Sequence, residues 1–533
     1  MMELSPAFCW IRYRLATGEG LDVRQVPFES FDSGEARIEA SFDGEVLELA
    51  ITPNVDLTMA ACSIGFRHQY ADDERVLLNG YQSWTDTAER SVWDKMRGLN
   101  RVPEFVKRRC ALDGMGDYRF VEYTGRAGEM HAFSYAVLRR GDRCLLLASL
   151  DESQGFTLFR TDAFGGVVTA DTEVPERMIA AGERVSLARY CVVSGSADEV
   201  YDRWFDLVGC VARDNLALVG YTSWYRRFDR VDERGLLDDL KGAAAFFADH
   251  PMKGARRVFR LDAGYCCAGD WMEVDRTRFP SGLDKLADRI RAQGLEPGLW
   301  IAPFACSAAS RVAAEHPDWL LRDDRGRRVT VAPHWGGMLA LNTRHPGVRD
   351  YVRRCVSTMT GVWGFSLLKA DFLYAACMFP HDGMNRGQLM ADALGLLREA
   401  AGEACVVVGG GVPLSSAFGV LDYVRVGCDV RPGWDGLLHM RLLHRERASA
   451  KNNIASTRGR CALDGRAFGI DPDVVTLSGD TKLSAERRAR AIEASSLGSV
   501  LFTSDDMGAW NARQKAAFEG AFQAIRARRG RAR

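Results

Sequence analysis

Phe365-Ser-Leu-Leu-Lys-Ala-Asp371 is an apolar run that closes on a cation and a carboxylate. Asp422-Tyr-Val-Arg-Val-Gly-Cys-Asp429 repeats the plan further along. Both read as strands, in which alternate residues share a face. Lys369 then lies on the face of Asp371, and Arg425 on that of Asp429. Six more runs of this kind fall at 217–224, 257–263, 296–303, 404–409, 467–475 and 499–504. Amphipathic helices separate them. Ser281 is placed to cap one whose Leu283, Leu286 and Ile290 share a face before Gly294. Leu394, Leu397 and Ala401 do the same before Gly402. Eight strands alternating with helices predict a (β/α)8 TIM barrel, preferred to an open doubly wound sheet.

Before this region the pattern differs. Runs such as Ala36-Arg-Ile-Glu-Ala-Ser-Phe42 and Val46-Leu-Glu-Leu-Ala-Ile51 are short and broken by turns such as Asp43-Gly44 and Gly141-Asp142. Many short strands at such spacing predict a β-sandwich. The expected fold is therefore multidomain, β followed by α/β. An N-terminal β-sandwich takes residues 1–205 and a catalytic (β/α)8 barrel takes residues 210–533, ending in a short helix and tail. The tail, Arg526-Ala-Arg-Arg-Gly-Arg-Ala-Arg533, reads as a frayed, solvated terminus.

Composition narrows the function. With 47% hydrophobic and 26% charged residues, the 533-residue chain is an ordinary globular protein. A net charge of −1 gives no electrostatic case for nucleic acid or an anionic membrane surface. No apolar run is long enough to predict a membrane span. The start shows no basic segment leading into an apolar one, so no signal peptide is expected. Fourteen cysteines without a CxxC then read as reduced thiols, and the expected compartment is the cytoplasm. Nine scattered histidines, with no HxxxH or HxH, predict no protein metal site.

In a barrel of this kind, chemistry sits at the C-terminal ends of the strands. Those ends carry Trp224, Asp262, Trp300, Lys369, Asp371, Arg425 and Asp429. Carboxylates and cations can bind sugar hydroxyls, and indoles can wall a sugar face. Two carboxylates are also what a retaining glycoside hydrolase requires. Asp371, beside Lys369, suits the ionised nucleophile. Asp429 suits the acid/base that protonates the leaving oxygen and then activates water. Arg425 would hold a sugar hydroxyl. Gly409-Gly410-Gly411 reads most simply as a tight turn, and Asp505-Asp506 as structural. Asp471-Pro-Asp473 is open between turn and site.

Taken together, these motifs resemble the α-galactosidase (melibiase) clan, specifically glycoside hydrolase family 36, with family 27 more distant. The matching segments include Leu78-Asn-Gly-Tyr-Gln-Ser-Trp84, Gly220-Tyr-Thr-Ser-Trp-Tyr225, Leu261-Asp-Ala-Gly-Tyr265 and Gly269-Asp-Trp271. They continue with Gly298-Leu-Trp-Ile-Ala-Pro303, Lys369-Ala-Asp371, Arg425-Val-Gly-Cys-Asp429 and Ser504-Asp-Asp506. The resemblance implies a retaining double displacement without cofactor, Asp371 as nucleophile and Asp429 as acid/base. It implies that Trp224, Asp262, Lys369 and Arg425 hold the sugar, and it adds Asp270, Trp271 and Trp300 to the binding set. It also leaves room for a homo-oligomer acting on small glycosides or oligosaccharides.

Four departures stand out. The second of a usual aspartate pair is Ala263, the usual Gly-Cys-Gly is Gly409-Gly410-Gly411, and a usual aspartate is Asn342. The family's C-terminal β-domain is expected to be absent. Losing a carboxylate from a buried sugar hydroxyl costs about 1.5–3 kcal/mol. Ala263 therefore opens the pocket to sugars altered at C4 or C6. The expected activity is a retaining α-glycosidase acting on terminal α-galactosides or a close relative. The alternatives are a transglycosidase of the same family and a catalytically silent sugar-binding homologue.

Overall fold

The computed structural model describes residues 4–531, except 19, 111, 214–215, 334, 431–432, 436–442 and 479–482. Two antiparallel sheets come first. The seven-stranded one runs Gly20–Pro27, Pro6–Leu15, Leu57–Arg67, Val167–Thr172, Thr157–Asp162, Glu129–Phe133, with Met178–Ile179 added beside Leu57–Arg67. The eight-stranded one runs Phe31–Asp32, Ala36–Phe42, Val46–Pro53, Val185–Gly195, Arg143–Ser149, Tyr135–Arg140, Arg75–Leu78, Ala88–Ser91. Alternate side chains such as Cys9, Ile11, Leu47, Leu49, Ile64 and Leu145 are fully buried, as expected of strands with one face inward.

Helix Ala197–Val208 leads out of the sheets. Its capping box pairs Ser196 with Glu199, its buried face is Val200, Tyr201, Trp204 and Phe205, and Gly209 ends it at φ 70°. Trp204 and Phe205 pack against Phe418 of the barrel, with ring centroids 5.6 and 5.1 Å apart.

The barrel strands are β1 (Ala217–Thr222), β2 (Ala255–Leu261), β3 (Glu296–Ile301), β4 (Leu367–Ala370), β5 (Val406–Gly409), β6 (Tyr423–Arg425), β7 (Gly469–Asp471) and β8 (Val500–Thr503). Every neighbouring pair from β1 to β7 is parallel, and β8 pairs with β1. A parallel bridge between Val474 and Phe502 joins the remaining edges. All eight runs read from the sequence are thus barrel strands. β6 is shorter than its apolar run, and Asp429 lies on the loop four residues beyond its end.

Two local expectations change. The helix Leu283–Ala292 takes Gly282, at φ 89°, as its N-cap. Ser281 instead donates its backbone N–H to Glu233 at 3.0 Å, so the loop is held from another helix. The basic tail is not frayed up to Arg531, because it continues the helix Ala512–Arg531. Arg528 there pairs with the buried carboxylate of Asp464 and reaches the Gly498 carbonyl at 3.0 Å. Among the described residues no helix is long and apolar enough to cross a membrane, and no disulfide joins the described cysteines.

Candidate active site

Strand ends and the segments that follow or cover them enclose a cavity of about 200 Å³ at the C-terminal face of the barrel. Asp262, Lys369, Asp371 and Asp429 line it, with Trp224, Trp335, Phe372 and Trp84 as aromatic wall and Met115, Leu443 and Glu446 beside them. Five of the sequence-derived site residues, Trp224, Asp262, Lys369, Asp371 and Asp429, therefore face one space.

Lys369 bridges two carboxylates. Its Nζ lies 3.2 Å from Asp262 Oδ2 and 3.1 Å from Asp371 Oδ2. Burial works against the Lys369 ammonium, but the two carboxylates more than offset it and hold its pKa above the usual lysine value. For Asp262 burial alone would raise the carboxyl. Lys369 and Arg260 outweigh that and hold it below the ordinary range. Trp300 sits one layer behind the cavity and donates its indole N–H to Asp371 Oδ2 at 2.8 Å. Asp371 Oδ1 is buried and has no hydrogen-bond partner among the described residues. Gly410 gives that oxygen its space, since a Cβ built there would lie 1.8 Å from it. The glycine turn is thus a close approach as well as a turn.

Arg425 is fully buried and works from below. Its Nη2 donates to Asp429 at 3.0 Å and to Asp473 at 2.6 Å. Asp473, in the left-handed region at φ 76°, also accepts from Tyr225 Oη at 2.6 Å and from Val430 N at 2.9 Å. Burial, with Asp429 beside it, pushes Asp473 up to about 6 against the pull of Arg425. The Arg425–Asp429 contact does not follow from strand alternation, because the strand has ended. Asn453 holds the intervening loop by donating to the Cys428 carbonyl at 2.8 Å.

Asp270 and Trp271 do not line this cavity. Asp270 accepts the backbone N–H groups of Arg311 and Val312 at 2.9 and 3.1 Å, closing the start of the helix Arg311–Glu315. Trp271 is buried edge-on against Trp300, 5.5 Å between centroids. Both support the wall from outside. Asp505 is structural, accepting from Leu477 N, Ser478 N and Trp510 Nε1.

Sequence reasoning passed over several lining residues. Trp335 stands at the tip of the loop between Thr330–Ala332 and Met338–Ala340. It stacks 4.7 Å from Trp224 and lies nearly parallel to Trp300 at 5.9 Å. Trp84 comes from the N-terminal sheets' side and meets Phe372 edge-on at 5.1 Å. Its segment is pinned by Arg460, which donates to Asn79 Oδ1, Ser83 O and Val426 O at 3.0, 2.6 and 2.9 Å. Ser83 Oγ in turn accepts from Gly411 N at 2.9 Å. Glu446, 4% exposed, accepts from Thr85 Oγ1 at 2.7 Å and Gln82 Nε2 at 3.2 Å. Burial pushes its carboxyl up to about 7 despite the Thr85 hydrogen bond. The Leu78–Trp84 motif carried a signal for Trp84; nothing local marked Trp335 or Glu446.

Residues 241–378 match the Melibiase family model. An α-galactosidase from Geobacillus stearothermophilus is 33% identical over 105 residues, 19% of this chain and 13% of that protein. The match thus spans about an eighth of that relative's length. An α-galactosidase from Thermus thermophilus, solved in complex with stachyose, superimposes with a TM-score of 0.72 at 27% identity. It covers 92% of this chain and 98% of its own. The fold of the family 36 α-galactosidase from Geobacillus stearothermophilus aligns with a TM-score of 0.60 at 13% identity over 97% of this chain and 75% of its own. Residues 241–378 thus carry the melibiase match, and the chain has the fold of the glycoside hydrolase family 36 α-galactosidases.

Proposed function

We propose that the protein is a retaining α-glycosidase that removes terminal α-galactosyl or closely related groups from small glycosides. The observation that carries this reading is the pair Asp371 and Asp429 facing one cavity, each with a cation at 3.1 or 3.0 Å. Asp371 Oδ1 attacks the anomeric carbon while Trp300 and Lys369 hold Oδ2. Asp429 gives its proton to the glycosidic oxygen, and the leaving alcohol departs. Asp429 then takes a proton from water, which attacks the glycosyl ester and frees Asp371 with the configuration retained. Lys369 stabilises the nucleophile as an anion. Arg425, shared with Asp473, orients Asp429. No cofactor or metal is needed for these steps.

Asp262 and Lys369 are positioned to bind sugar hydroxyls, and Trp224, Trp335 and Trp84 to cover its apolar face. Ala263 lacks a carboxylate, and Glu446 adds one elsewhere in the lining. We therefore expect selectivity among galacto-configured sugars to differ from a pocket with paired aspartates. Residues 1–205 act as the sandwich unit that delivers Trp84, and residues 210–533 as the catalytic unit. We assign the reaction to the cytoplasm, which the unpaired described cysteines support.

The test is initial rates on nitrophenyl α-glycosides of galactose, N-acetylgalactosamine, glucose and fucose and on the β-L-arabinopyranoside, with Asp371→Ala as control. NMR of the first product formed reads the anomer. Turnover abolished by Asp371→Ala, giving the α-anomer first (or its retained equivalent), supports the reading. Full activity in Asp371→Ala, or an inverted first product, overturns it.

A further inference from the structure

A second cavity, of about 390 Å³, lies on the seven-stranded sheet, away from the catalytic residues. Its floor follows from strand register. Trp10 opposes Ser63, Ser63 opposes Asp171, Asp171 opposes Leu158, and Leu158 opposes Phe133. Directly opposed residues point to the same face of a sheet. Five strands thus contribute one continuous row. The alternate residues Cys9, Ile11, Ile64, Ala170 and Phe159 fill the sandwich core, so this row is on the outer face.

An outer sheet face ordinarily carries small polar side chains. This one begins at an indole and ends under phenyl rings, where the barrel residue Arg386 closes it. Arg386 is 5% exposed, and its guanidinium carbon lies 3.7 Å from the Phe120 centroid and 5.4 Å from that of Phe156. Its Nε donates to Glu173 Oε1 at 2.6 Å. Arg386 Nη1 and Glu173 Oε2 are both buried and have no hydrogen-bond partner among the described residues. A buried donor and a buried acceptor left unmet in one cavity are costly. Along the floor, Asp171 accepts from Ser63 Oγ at 2.6 Å and from Arg160 Nε at 2.9 Å.

These groups define a ligand. Arg160 balances Asp171, Arg386 balances Glu173, and Glu176 is the one further charged residue of the lining, so the cavity has no excess positive charge to draw an anion. One unmet donor beside one unmet acceptor matches neighbouring hydroxyls, one accepting and one donating. Aromatic rings beside them match the C–H faces of a pyranose. We propose that this cavity is a second saccharide-binding site, taking a neutral oligosaccharide and holding it on the protein apart from the cleavage site. The choice of oligosaccharide class rests on the glycosidase reading above; the geometry of the site does not.

The experiment uses the full chain carrying Asp371→Ala, so that nothing is cleaved, titrated calorimetrically with stachyose. Trp10→Ala and, separately, Arg160→Ala are then added. We expect a binding event weakened about tenfold by Trp10→Ala and also weakened by Arg160→Ala. With Asp371 intact, Trp10→Ala should leave kcat/KM for the nitrophenyl α-galactoside within twofold. The proposal falls if no stachyose-binding event responds to either variant. If the wild type cleaves no glycoside yet stachyose binding depends on Trp10, the glycosidase reading fails and the second site stands.

Discussion

Trp300 and Lys369 reach the same oxygen of Asp371, the indole N–H at 2.8 Å and the ammonium at 3.1 Å. One oxygen of the carboxylate is thereby fixed by two donors while the other is left open. A carboxylate held this way is oriented, which is what an attacking oxygen requires.

Trp300→Phe keeps most of the ring and removes the donor. A hydrogen bond to a charged group contributes about 1.5–3 kcal/mol, so kcat/KM on the nitrophenyl α-galactoside should fall roughly 10- to 100-fold. Thermal unfolding should shift little, because the ring still fills its place. A rate within twofold of wild type would remove Trp300 from the proposed mechanism.

Gly410→Ala tests the close approach to Asp371. The new Cβ would meet Oδ1 at 1.8 Å, so the carboxylate or the turn must shift. Oδ2 is tethered by Trp300 and Lys369, so the shift cannot be absorbed by simple rotation. We expect kcat to fall by about two orders of magnitude, since small displacements of reacting groups have effects of that size. Circular dichroism and a single-turnover assay would separate loss of chemistry from loss of fold; unchanged kcat would show that the turn yields freely.

Glu446 makes stability depend on pH. Its folded pKa of about 7 lies above the ordinary 4.5, so the folded state holds the proton more tightly than the unfolded chain. The contribution is present in full below about pH 4.5 and is lost as pH rises through about 7. Between pH 5 and pH 8 the wild type should lose roughly 2–3 kcal/mol relative to Glu446→Gln. Glu152, pushed up to about 8 by burial, has the same sign and cancels in that difference. Urea unfolding of both proteins at the two pH values measures it; a gap that stays constant would contradict the assignment.

Arg460→Leu tests how Trp84 is delivered. Arg460 is fully buried and donates to four acceptors, Asn79 Oδ1 and the carbonyls of Gln82, Ser83 and Val426. Removing it leaves those acceptors unmet, for a loss of roughly 3–5 kcal/mol. Where the variant still folds, KM should rise more than kcat falls, because the Trp84 wall loosens while Asp371 and Asp429 remain. A variant with wild-type stability and KM would show that the segment is held by other means.

Asp371 was legible because it closes an apolar run whose alternation could be counted back to Lys369, and Asp429 was legible because it follows such a run at a short spacing from Arg425, although the strand itself stops at Arg425. Trp335 and Glu446 were not, since one sits on a loop and the other in a short 3-10 turn, neither long enough to show a period, and both reach the cavity only through long-range packing. Asp270 and Trp271 lie in a matching motif, yet the chain folds them behind the wall. There the Asp270 carboxylate meets two backbone N–H groups of a helix start. Ser281 had the right residue type for a cap, but Gly282 could take the φ of 89° that the turn needs.

The sequence by itself determined the eight barrel strands, the β-rich region before them, and the two carboxylates with their cations. Those features are local, written in the alternation of apolar residues and in short spacings. Only the tertiary structure decided which side chains share the cavity, that Arg425 serves both Asp429 and Asp473, and that Trp84 crosses from the sheets into the barrel's mouth. These depend on contacts between residues hundreds of positions apart, such as Arg460 with Ser83 and Glu446 with Thr85. Close packing and the need to satisfy buried polar groups select such contacts, and no local period encodes them.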